Sequence, residues 1–302
     1  MISINDYLDS VLGDFTVYLD EPHELCDLKS LNFDQGRVPN YEDIHIQQYY
    51  LLRYAYAYAF EYKLMYDTLF ERFFPHGSID VTSIGCGTMI DYWSLARVLK
   101  QRGFPNVSVN YIGIDQVDWC YKIPKRKNDT VTFCYNNAID EFSQYNFLDS
   151  DIYFFPKSIS EFSDNDYQKL CKIFEETPIT VDQFHILISV RSDQRSMKRD
   201  LQRAEQLRCA IIKNGFTTND HCHEFWKVED EIEDNKIRTA DMDFAHPADI
   251  INTLKELNVR CAHYQNNQTN CSEDCVNRLN RWPILNQKQV CFSILSFERE
   301  TS

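Results

Sequence analysis

The sequence predicts an α/β fold in which a mainly parallel sheet carries helices on both faces. Short apolar runs alternate with stretches of helical periodicity, which is the pattern of parallel strands joined by crossover helices. The chain has 302 residues, 43% of them hydrophobic, so it can bury the core that such a sheet needs. The runs predicted as strands are 81–84, 109–114, 130–135, 151–155 and 185–190.

Composition narrows the possible partners and locations. The formal net charge of -15 repels nucleic acid at long range, so a nucleic-acid partner is not favoured, although a local basic patch would still permit one. No stretch is long and apolar enough to be a membrane span, and no signal peptide is predicted. The 11 cysteines without a secretion signal indicate reduced thiols and a cytoplasmic protein.

Residues 1–77 are predicted to form a helical N-terminal extension. One long helical pattern covers 41–74, and its centre carries a tyrosine at every fourth position. An aromatic ridge at this spacing favours packing against the sheet. The alternative is that one or two of the tyrosines, with Arg53, line the mouth of a pocket. The ridge consists of Tyr50, Tyr54, Tyr58, Tyr62 and Tyr66.

The α/β domain is predicted to cover 78–302, with a C-terminal insertion at about 229–288. Two strand candidates, 221–228 and 289–298, are expected to complete the sheet. The segment between them begins with an acidic run and has no strand pattern of its own. It is therefore assigned to the insertion, and one role for it is a substrate-recognition lid.

The chain is organised around the stretch from Val81 to Asp91. An apolar strand pattern meets Gly85-Cys86-Gly87, and a helical pattern follows at once. Glycine lets a ligand approach the backbone closely, and the helix behind the turn presents free N–H groups. The next strand ends in Asp115, where a carboxylate can accept hydrogen bonds from the two hydroxyls of a ribose. This order of elements predicts a nucleotide pocket.

These motifs resemble those of class I S-adenosylmethionine-dependent methyltransferases. The resemblance rests on Ser83 to Asp91 and Tyr111 to Asp115, and it continues through most of the chain after residue 80. It implies a Rossmann-like domain, S-adenosylmethionine as the cofactor, and an enzyme that transfers the cofactor's methyl group. In that family the glycine turn passes under the methionine part of the cofactor, and the acid ending the second strand holds the ribose.

The resemblance also implies a set of cofactor-binding residues, with two departures. The family usually has an acidic residue where Ser83 stands and a third glycine near Met89. An Asp or Asn after the third strand commonly meets the adenine amino group, which points to Asn137. The residues implied to bind the cofactor are Ser83, Gly85, Cys86, Gly87, Asp115, Asn137 and Phe155.

No catalytic residue with a defined role is predicted. Enzymes of this family that methylate amino groups of nucleic acids carry Asp or Asn, then Pro-Pro and an aromatic residue, after the fourth strand. This chain has Phe154-Phe155-Pro156-Lys157 there, so base methylation loses support. Lys157 and Glu161 follow the strand at the carboxyl edge of the sheet and are the candidates for the reacting centre. A capping or surface role is the alternative for Glu161.

The insertion contains Cys261, His263, Cys271 and Cys275 within a short stretch. These residue types bind zinc, but the strong zinc patterns use paired Cys-x-x-Cys spacing, which is absent here. The sequence therefore predicts no metal, and these four residues are the candidates if a structural metal is present.

The predicted function is methyl transfer from S-adenosylmethionine to an acceptor that is RNA, a protein or a small molecule. The changes at Ser83 and Met89 leave an alternative, a catalytically inactive binding or scaffold protein of the same fold. A further alternative is an NAD-dependent oxidoreductase. The fingerprint Gly-x-Gly-x-x-Gly disfavours it, because Ile90 stands at the third glycine.

Overall fold

The computed structural model describes residues 2–32, 39–191, 194–222, 226–227, 247–266, 271, 273–280 and 290–300. The acidic start of the predicted insertion, at 229–234, lies outside these residues. The described helices are α1 (Ile4–Leu19), a 3₁₀ helix (Cys26–Asn32), α2 (Ile44–Leu69), α3 (Ile90–Gln101), α4 (Ala138–Phe142), α5 (Asp164–Glu176), α6 (Gln194–Lys213), α7 (Ala248–Lys255), α8 (Leu257–Arg260), α9 (Ala262–Asn266) and α10 (Glu273–Leu279). The described strands are β1 (Ser78–Ile84), β2 (Ser108–Asp115), β3 (Thr130–Tyr135), β4 (Ile152–Phe155), β5 (Gln183–Ser189), β6 (Phe216–Thr217), β7 (Trp226–Lys227) and β8 (Cys291–Arg299).

The strands form one sheet in the order β3-β2-β1-β4-β5-β8-β6, with β7 paired to β8. The pairs among β1 to β5 are parallel, and β8 is antiparallel to β5, β6 and β7. The predicted α/β, Rossmann-like fold class is therefore confirmed. Ile84 pairs with Ile114 and Phe155 pairs with Ile188, so the carboxyl ends of four strands meet at one edge of the sheet.

Helices cover both faces of this sheet. On one face, the rings of Tyr62 and Tyr66 in α2 lie 5.1 and 5.4 Å from the ring of Phe154. On the other face, Tyr153 and Phe155 are buried in a core shared with α4, α5 and α6. Successive residues of a strand point to opposite faces, which explains this alternation within β4. The C-terminal part of the predicted tyrosine ridge packs on the sheet, as expected.

Side-chain caps fix several helix starts. Ser3 accepts a hydrogen bond from the backbone N–H of Asp6, and Ser163 accepts one from that of Asp166. These bonds satisfy N–H groups that have no partner inside the helix. A glycine follows the C-terminal end of α6. Gly215 has a φ of 88°, a left-handed conformation that ends the helix at little steric cost.

The chain divides into two compact units, and the boundary between them falls within α2 after Ala57. The first unit comprises Met1–Ala57, Trp119–Pro124 and Ile232–Leu285, and the second comprises Tyr58–Asp118, Lys125–Glu231 and Asn286–Ser302. The second unit contains the whole sheet. Residues 58–77, which the sequence assigns to the N-terminal extension, are grouped with the sheet.

The first unit has an aromatic core of its own. The hydroxyl of Tyr49 donates to the carbonyl of Leu279 at 2.9 Å, which joins α2 to α10. The indole of Trp119 lies 5.1 Å from the ring of Tyr41 and 5.4 Å from that of Tyr50. Within the described part of the chain, no helix is both long and apolar enough to cross a membrane.

Candidate functional site

The turn after β1 contains three residues in the left-handed region. Gly85 has a φ of 75°, Gly87 of 54° and Met89 of 64°. The N–H groups of Gly85 and Cys86 donate to the carbonyl of Ile114 at 2.8 and 3.2 Å, which fixes the turn against β2. Glycine adopts this conformation freely, whereas methionine is strained in it. Met89 therefore keeps the backbone conformation that a third glycine would have.

Asp115 connects this turn to the end of β2. One of its carboxylate oxygens, Oδ2, accepts a hydrogen bond from the Gly87 N–H at 2.8 Å, and Oδ1 accepts one from the Val117 N–H at 2.9 Å. Each carboxylate oxygen can accept a further bond. The structure thus brings together the predicted residues Gly87 and Asp115 and holds the carboxylate in a single orientation.

The loop that leaves β4 packs directly on the same turn. The Ser158 hydroxyl donates to the Ile84 carbonyl. A Cβ atom built on Gly85 would lie 2.5 Å from Cβ of Ser158, which is far inside van der Waals contact. Position 85 therefore requires glycine for two reasons, its positive φ and this close approach. The contact places the loop with Lys157 and Glu161 beside the glycine turn.

Buried hydroxyls lie around the turn. The Thr88 hydroxyl makes no hydrogen bond with the residues that the structure describes, and the Ser83 hydroxyl has only Asp91 and Tyr111 beside it. Native proteins satisfy nearly all buried polar groups, so the Thr88 hydroxyl calls for an explanation, such as a bound molecule. Both hydroxyls can donate to or accept from a ligand.

Asp91 places a carboxyl beneath Ser83. Both of its oxygens accept from the Tyr111 hydroxyl, at 3.0 and 2.9 Å, and the residue has no exposed surface. Burial raises the pKa of Asp91 to about 6, and the hydroxyls of Ser83 and Tyr111 oppose that rise. The acidic group that the family carries at the position of Ser83 is absent, but a carboxyl from the first turn of α3 lies beside that hydroxyl.

Lys157 holds the β4 loop to two other elements. Its ammonium group lies 2.7 Å from Oε2 of Glu61 in α2 and donates to the Val190 carbonyl at 2.7 Å. The Ser189 hydroxyl also donates to Glu61, at 2.5 Å. Glu61 is buried, which raises its pKa, whereas Lys157 and Ser189 lower it. Lys157 has a φ of 61°, so this ion pair holds a residue in a strained conformation.

Glu161 follows β4 at the carboxyl edge of the sheet. Its side chain is 48% exposed to solvent. Arg191 donates to the carboxylate at 3.0 Å. Desolvation raises the pKa of Glu161 to about 7, the charge of Arg191 opposes the rise, and the charge of Asp115 adds to it. Glu161 is therefore a solvent-accessible acid near Asp115.

The remaining predicted cofactor residues have other contacts. The Asn137 carboxamide oxygen accepts from the Ile139 N–H at 2.8 Å and caps α4. The Phe155 side chain is fully buried in the core. Burial raises the pKa of the Cys86 thiol well above its usual range, so this thiol is unreactive. A role of Asn137, Phe155 or Cys86 at the cofactor stays a prediction.

Two residues of this site have no role in the sequence analysis. Glu61 lies within the aromatic helix whose tyrosine ridge favours packing, and only the sheet brings it to Lys157. Asp91 had a usable signal, because an acid in the first turn of a helix behind a glycine turn lies near the same pocket.

The cysteines predicted within the insertion lie together in the first unit. Cys261, His263, Cys271 and Cys275 line a small cavity of about 10 Å³, together with Cys26 and Lys29. We call these six residues the thiol cluster. The sulfur of Cys271 lies 3.6 Å from Nδ1 of His263. Among the residues with described positions, no group of three or more His, Cys, Asp or Glu side chains has a geometry that could hold a metal ion.

Comparison with known proteins gives no match to a protein-family model or to a curated protein. Solved structures do match, among them the cyclopropane synthase MmaA2 from Mycobacterium tuberculosis, at 10% identity and a TM-score of 0.42, covering 78% of this chain and 83% of that one. The plantazolicin methyltransferase BpumL, solved with S-adenosylhomocysteine, matches at 12% identity and a TM-score of 0.39, covering 95% and 99%. A methyltransferase dependent on S-adenosylmethionine from Archaeoglobus fulgidus matches at 14% identity and a TM-score of 0.36, covering 78% and 94%.

Proposed function

We propose that this chain binds S-adenosylmethionine at the carboxyl ends of β1 and β2 and transfers its methyl group to an acceptor. The observation that carries the proposal is the Asp115 carboxylate, held between the N–H of Gly87 in the glycine turn and that of Val117 after its own strand. A carboxylate fixed in this way is oriented to accept hydrogen bonds from a vicinal diol such as a ribose.

The buried hydroxyls at the turn support the fit of this cofactor. Ser83 and Thr88 provide two buried hydrogen-bonding groups at the turn, where the amino-acid part of the cofactor would lie. Asp91 adds a carboxyl beside Ser83 that favours a nearby cation. Asp115 would hold the ribose, and the bound group would supply an electron-poor methyl on a sulfonium.

The acceptor would lie on the side of the turn where β4 and β5 end. Glu161 is exposed to solvent there, and the charge of Asp115 raises its pKa. A carboxylate with a pKa near neutrality can take a proton from an acceptor that is protonated at working pH. Lys157 serves to hold this loop, because Glu61 and the Val190 carbonyl accept hydrogen bonds from its ammonium group. RNA, a protein and a small molecule all remain candidate acceptors.

Cofactor binding can be tested by calorimetric titration of the purified chain with S-adenosylmethionine, S-adenosylhomocysteine and NAD. We expect heat and a rise in melting temperature with the first two only. Asp115→Ala should weaken binding about tenfold or more, since hydrogen bonds to a charged group contribute about 1.5–3 kcal/mol. Asp140→Asn removes an exposed carboxylate after β3 and is the matched control, with unchanged affinity expected.

The outcomes separate the alternatives. Binding of NAD alone would favour the oxidoreductase, and no binding of any of the three would contradict the proposal. Binding without methyl transfer would favour the inactive scaffold. Transfer is measured with methyl-labelled cofactor and cell extract, divided into portions treated with ribonuclease, protease or neither, so that loss of label from the macromolecular fraction identifies the class of acceptor.

A further inference from the structure

The thiol cluster places a cation against a cysteine. The ammonium group of Lys29 lies 3.3 Å from the sulfur of Cys275, a hydrogen-bonding contact for sulfur. A positive charge at this distance stabilises a thiolate relative to the thiol. The 3₁₀ helix carries Lys29 and Cys26, and α10 carries Cys275, so the contact joins two elements distant in sequence.

An exposed cysteine elsewhere in the chain has the opposite environment. The sulfur of Cys209 lies 3.6 Å from the carboxylate of Glu205, which disfavours a thiolate there. Cys120 is also exposed, whereas Cys275 is partly buried, so exposure does not mark the reactive thiol. Lys29 interacts with Cys275 and also with Cys26, and its contact with Cys275 comes before that with Cys26 among the causes that raise its pKa.

A second thiol stands next to Cys275. Cys271 precedes it by four residues and is close enough to exchange a hydrogen bond with it. Cys271 lies just before α10, which begins at Glu273 and carries Cys275, and the two thiols are near enough for a disulfide to form between them. Both side chains are partly accessible to solvent. The small cavity among the cluster residues admits a small reagent more readily than a large one.

We propose that the thiol cluster is a site of reversible oxidation, in which Cys275 reacts with hydroperoxides and Cys271 then forms a disulfide with it. This inference does not depend on the proposed function, because its residues belong to the first unit. Lys29 is the positioning residue that favours the reactive form of Cys275.

The two steps balance with hydrogen peroxide as the oxidant. The thiolate sulfur of Cys275 attacks one peroxide oxygen, the O–O bond breaks, and the departing hydroxide takes up the proton that the thiol released on ionising. Cys275 is then a sulfenic acid. The Cys271 sulfur attacks the Cys275 sulfur, the S–O bond breaks, and hydroxide leaves with the Cys271 proton as water. Two thiols lose two electrons, and the peroxide is reduced to two waters.

The test treats the reduced, full-length chain with stoichiometric hydrogen peroxide, blocks the remaining thiols with N-ethylmaleimide and maps the cysteines by mass spectrometry. Trypsin releases residues 261–278 as one peptide, and cleavage after Glu273 separates Cys271 from Cys275 unless a disulfide joins them. We expect joined fragments in which Cys261 carries the maleimide, with Cys209 and Cys120 also labelled. A disulfide with another partner, or faster oxidation at Cys209, would overturn the assignment.

Variants separate the role of Lys29 from a structural one. Lys29→Met should slow oxidation of Cys275 several-fold, because the thiolate is the reacting form and loses the ammonium group that lies 3.3 Å from its sulfur. Lys29→Arg should restore the rate, and neither change should alter labelling of Cys209. Cys271→Ser should leave a sulfenic acid on Cys275 that dimedone traps, in a protein with an unchanged melting transition. An unchanged rate in Lys29→Met, or one zinc ion per chain by elemental analysis, would refute the proposal.

Discussion

Asp91 shows how one buried group makes stability depend on pH. Its carboxyl has no exposed surface, and burial raises its pKa to about 6. The folded chain therefore binds this proton more tightly than the unfolded chain, in which the pKa is about 3.9. Below the pKa of the unfolded chain, the carboxyl is protonated in both states and its burial does not lower the free energy of unfolding. As the pH rises to the folded pKa, the group loses its proton and the free energy of unfolding falls.

We expect the Asp91→Asn variant not to show this fall in the free energy of unfolding with rising pH. Between pH 4 and pH 6, the free energy of unfolding of the variant should rise relative to the wild type by about 3 kcal/mol, from the two-unit difference in pKa. Urea denaturation of the ligand-free chain at a series of pH values measures it. Asp166→Asn is the control of opposite sign, because Ser163 and Lys169 lower the pKa of Asp166. The prediction would be contradicted if the free energies of unfolding of Asp91→Asn and of the wild type changed with pH in parallel.

The sequence was informative about residues whose role depends on neighbours along the chain. Gly85, Gly87 and Asp115 were identified because strand, turn and next strand follow one another directly, and the turn bonds to Asp115 as that order suggests. Glu61 could not be identified, because its partner Lys157 lies 96 residues away. No local pattern marks a carboxylate that only the packing of α2 brings to β4.

At the scale of elements, α2 and the β4 loop are joined by a buried ion pair. Glu61 has 2% of its side chain exposed and Lys157 has 15%, so both charges are largely removed from water. Such a pair contributes little net stability relative to an apolar pair of the same size, but losing one partner leaves an uncompensated charge. The same carboxylate also accepts from Ser189, so β5 shares in the arrangement.

We expect Lys157→Met to cost about 3–5 kcal/mol of unfolding free energy, because Glu61 is left without its cation. The double variant with Glu61→Gln should recover most of that loss. Lys169→Met, at an exposed pair with Asp166, is the control and should cost less than about 1 kcal/mol. Chemical denaturation of the wild type, of Lys157→Met and Glu61→Gln as single variants, and of the double variant completes the cycle. A small effect of Lys157→Met alone would mean that the pair does not hold the loop.

The sequence predicted most elements of the sheet but not their ends. Strands β3, β4 and β5 occur where apolar runs predict them. The candidate at 221–228 contains β7 at Trp226–Lys227, and the short strand β6 at Phe216–Thr217 precedes it; both pair with β8. Short edge strands depend on their partner more than on their own composition, so the local pattern could not place them.

At the scale of the whole molecule, the division into units does not follow the predicted domain boundary. The sequence suggested a change at Gly77, where proline and glycine end the helical pattern. The structure groups Tyr58 onward with the sheet, because Tyr62 and Tyr66 pack on Phe154 and Glu61 binds Lys157. A proline or glycine that ends a helical pattern marks the end of a helix, which is not the same as the boundary between two compact units.

Deletion of residues 1–77 should therefore damage the sheet itself. It uncovers Phe154 by removing Tyr62 and Tyr66, each of which contributes about 1.5–3 kcal/mol when buried. It also leaves Lys157 without Glu61. We expect residues 78–302 expressed alone to be insoluble or to melt without a cooperative transition, as judged by solubility and calorimetry. A soluble fragment that melts cooperatively and binds cofactor with full affinity would show that the extension is an independent appendage.

The position of β8 has a consequence for synthesis. This strand pairs with β5 along seven residues and with β6 and β7 on its other edge. His185 of β5 hydrogen-bonds Ser296 of β8 across 111 residues of sequence. At roughly 5–20 residues per second, a nascent chain displays the open edge of β5 for roughly 5–20 seconds before its partner is made. An unpaired apolar strand edge can pair with strands of other chains. Slower translation of the segment between the two strands should therefore increase aggregation of newly made chains without changing the stability of those already folded.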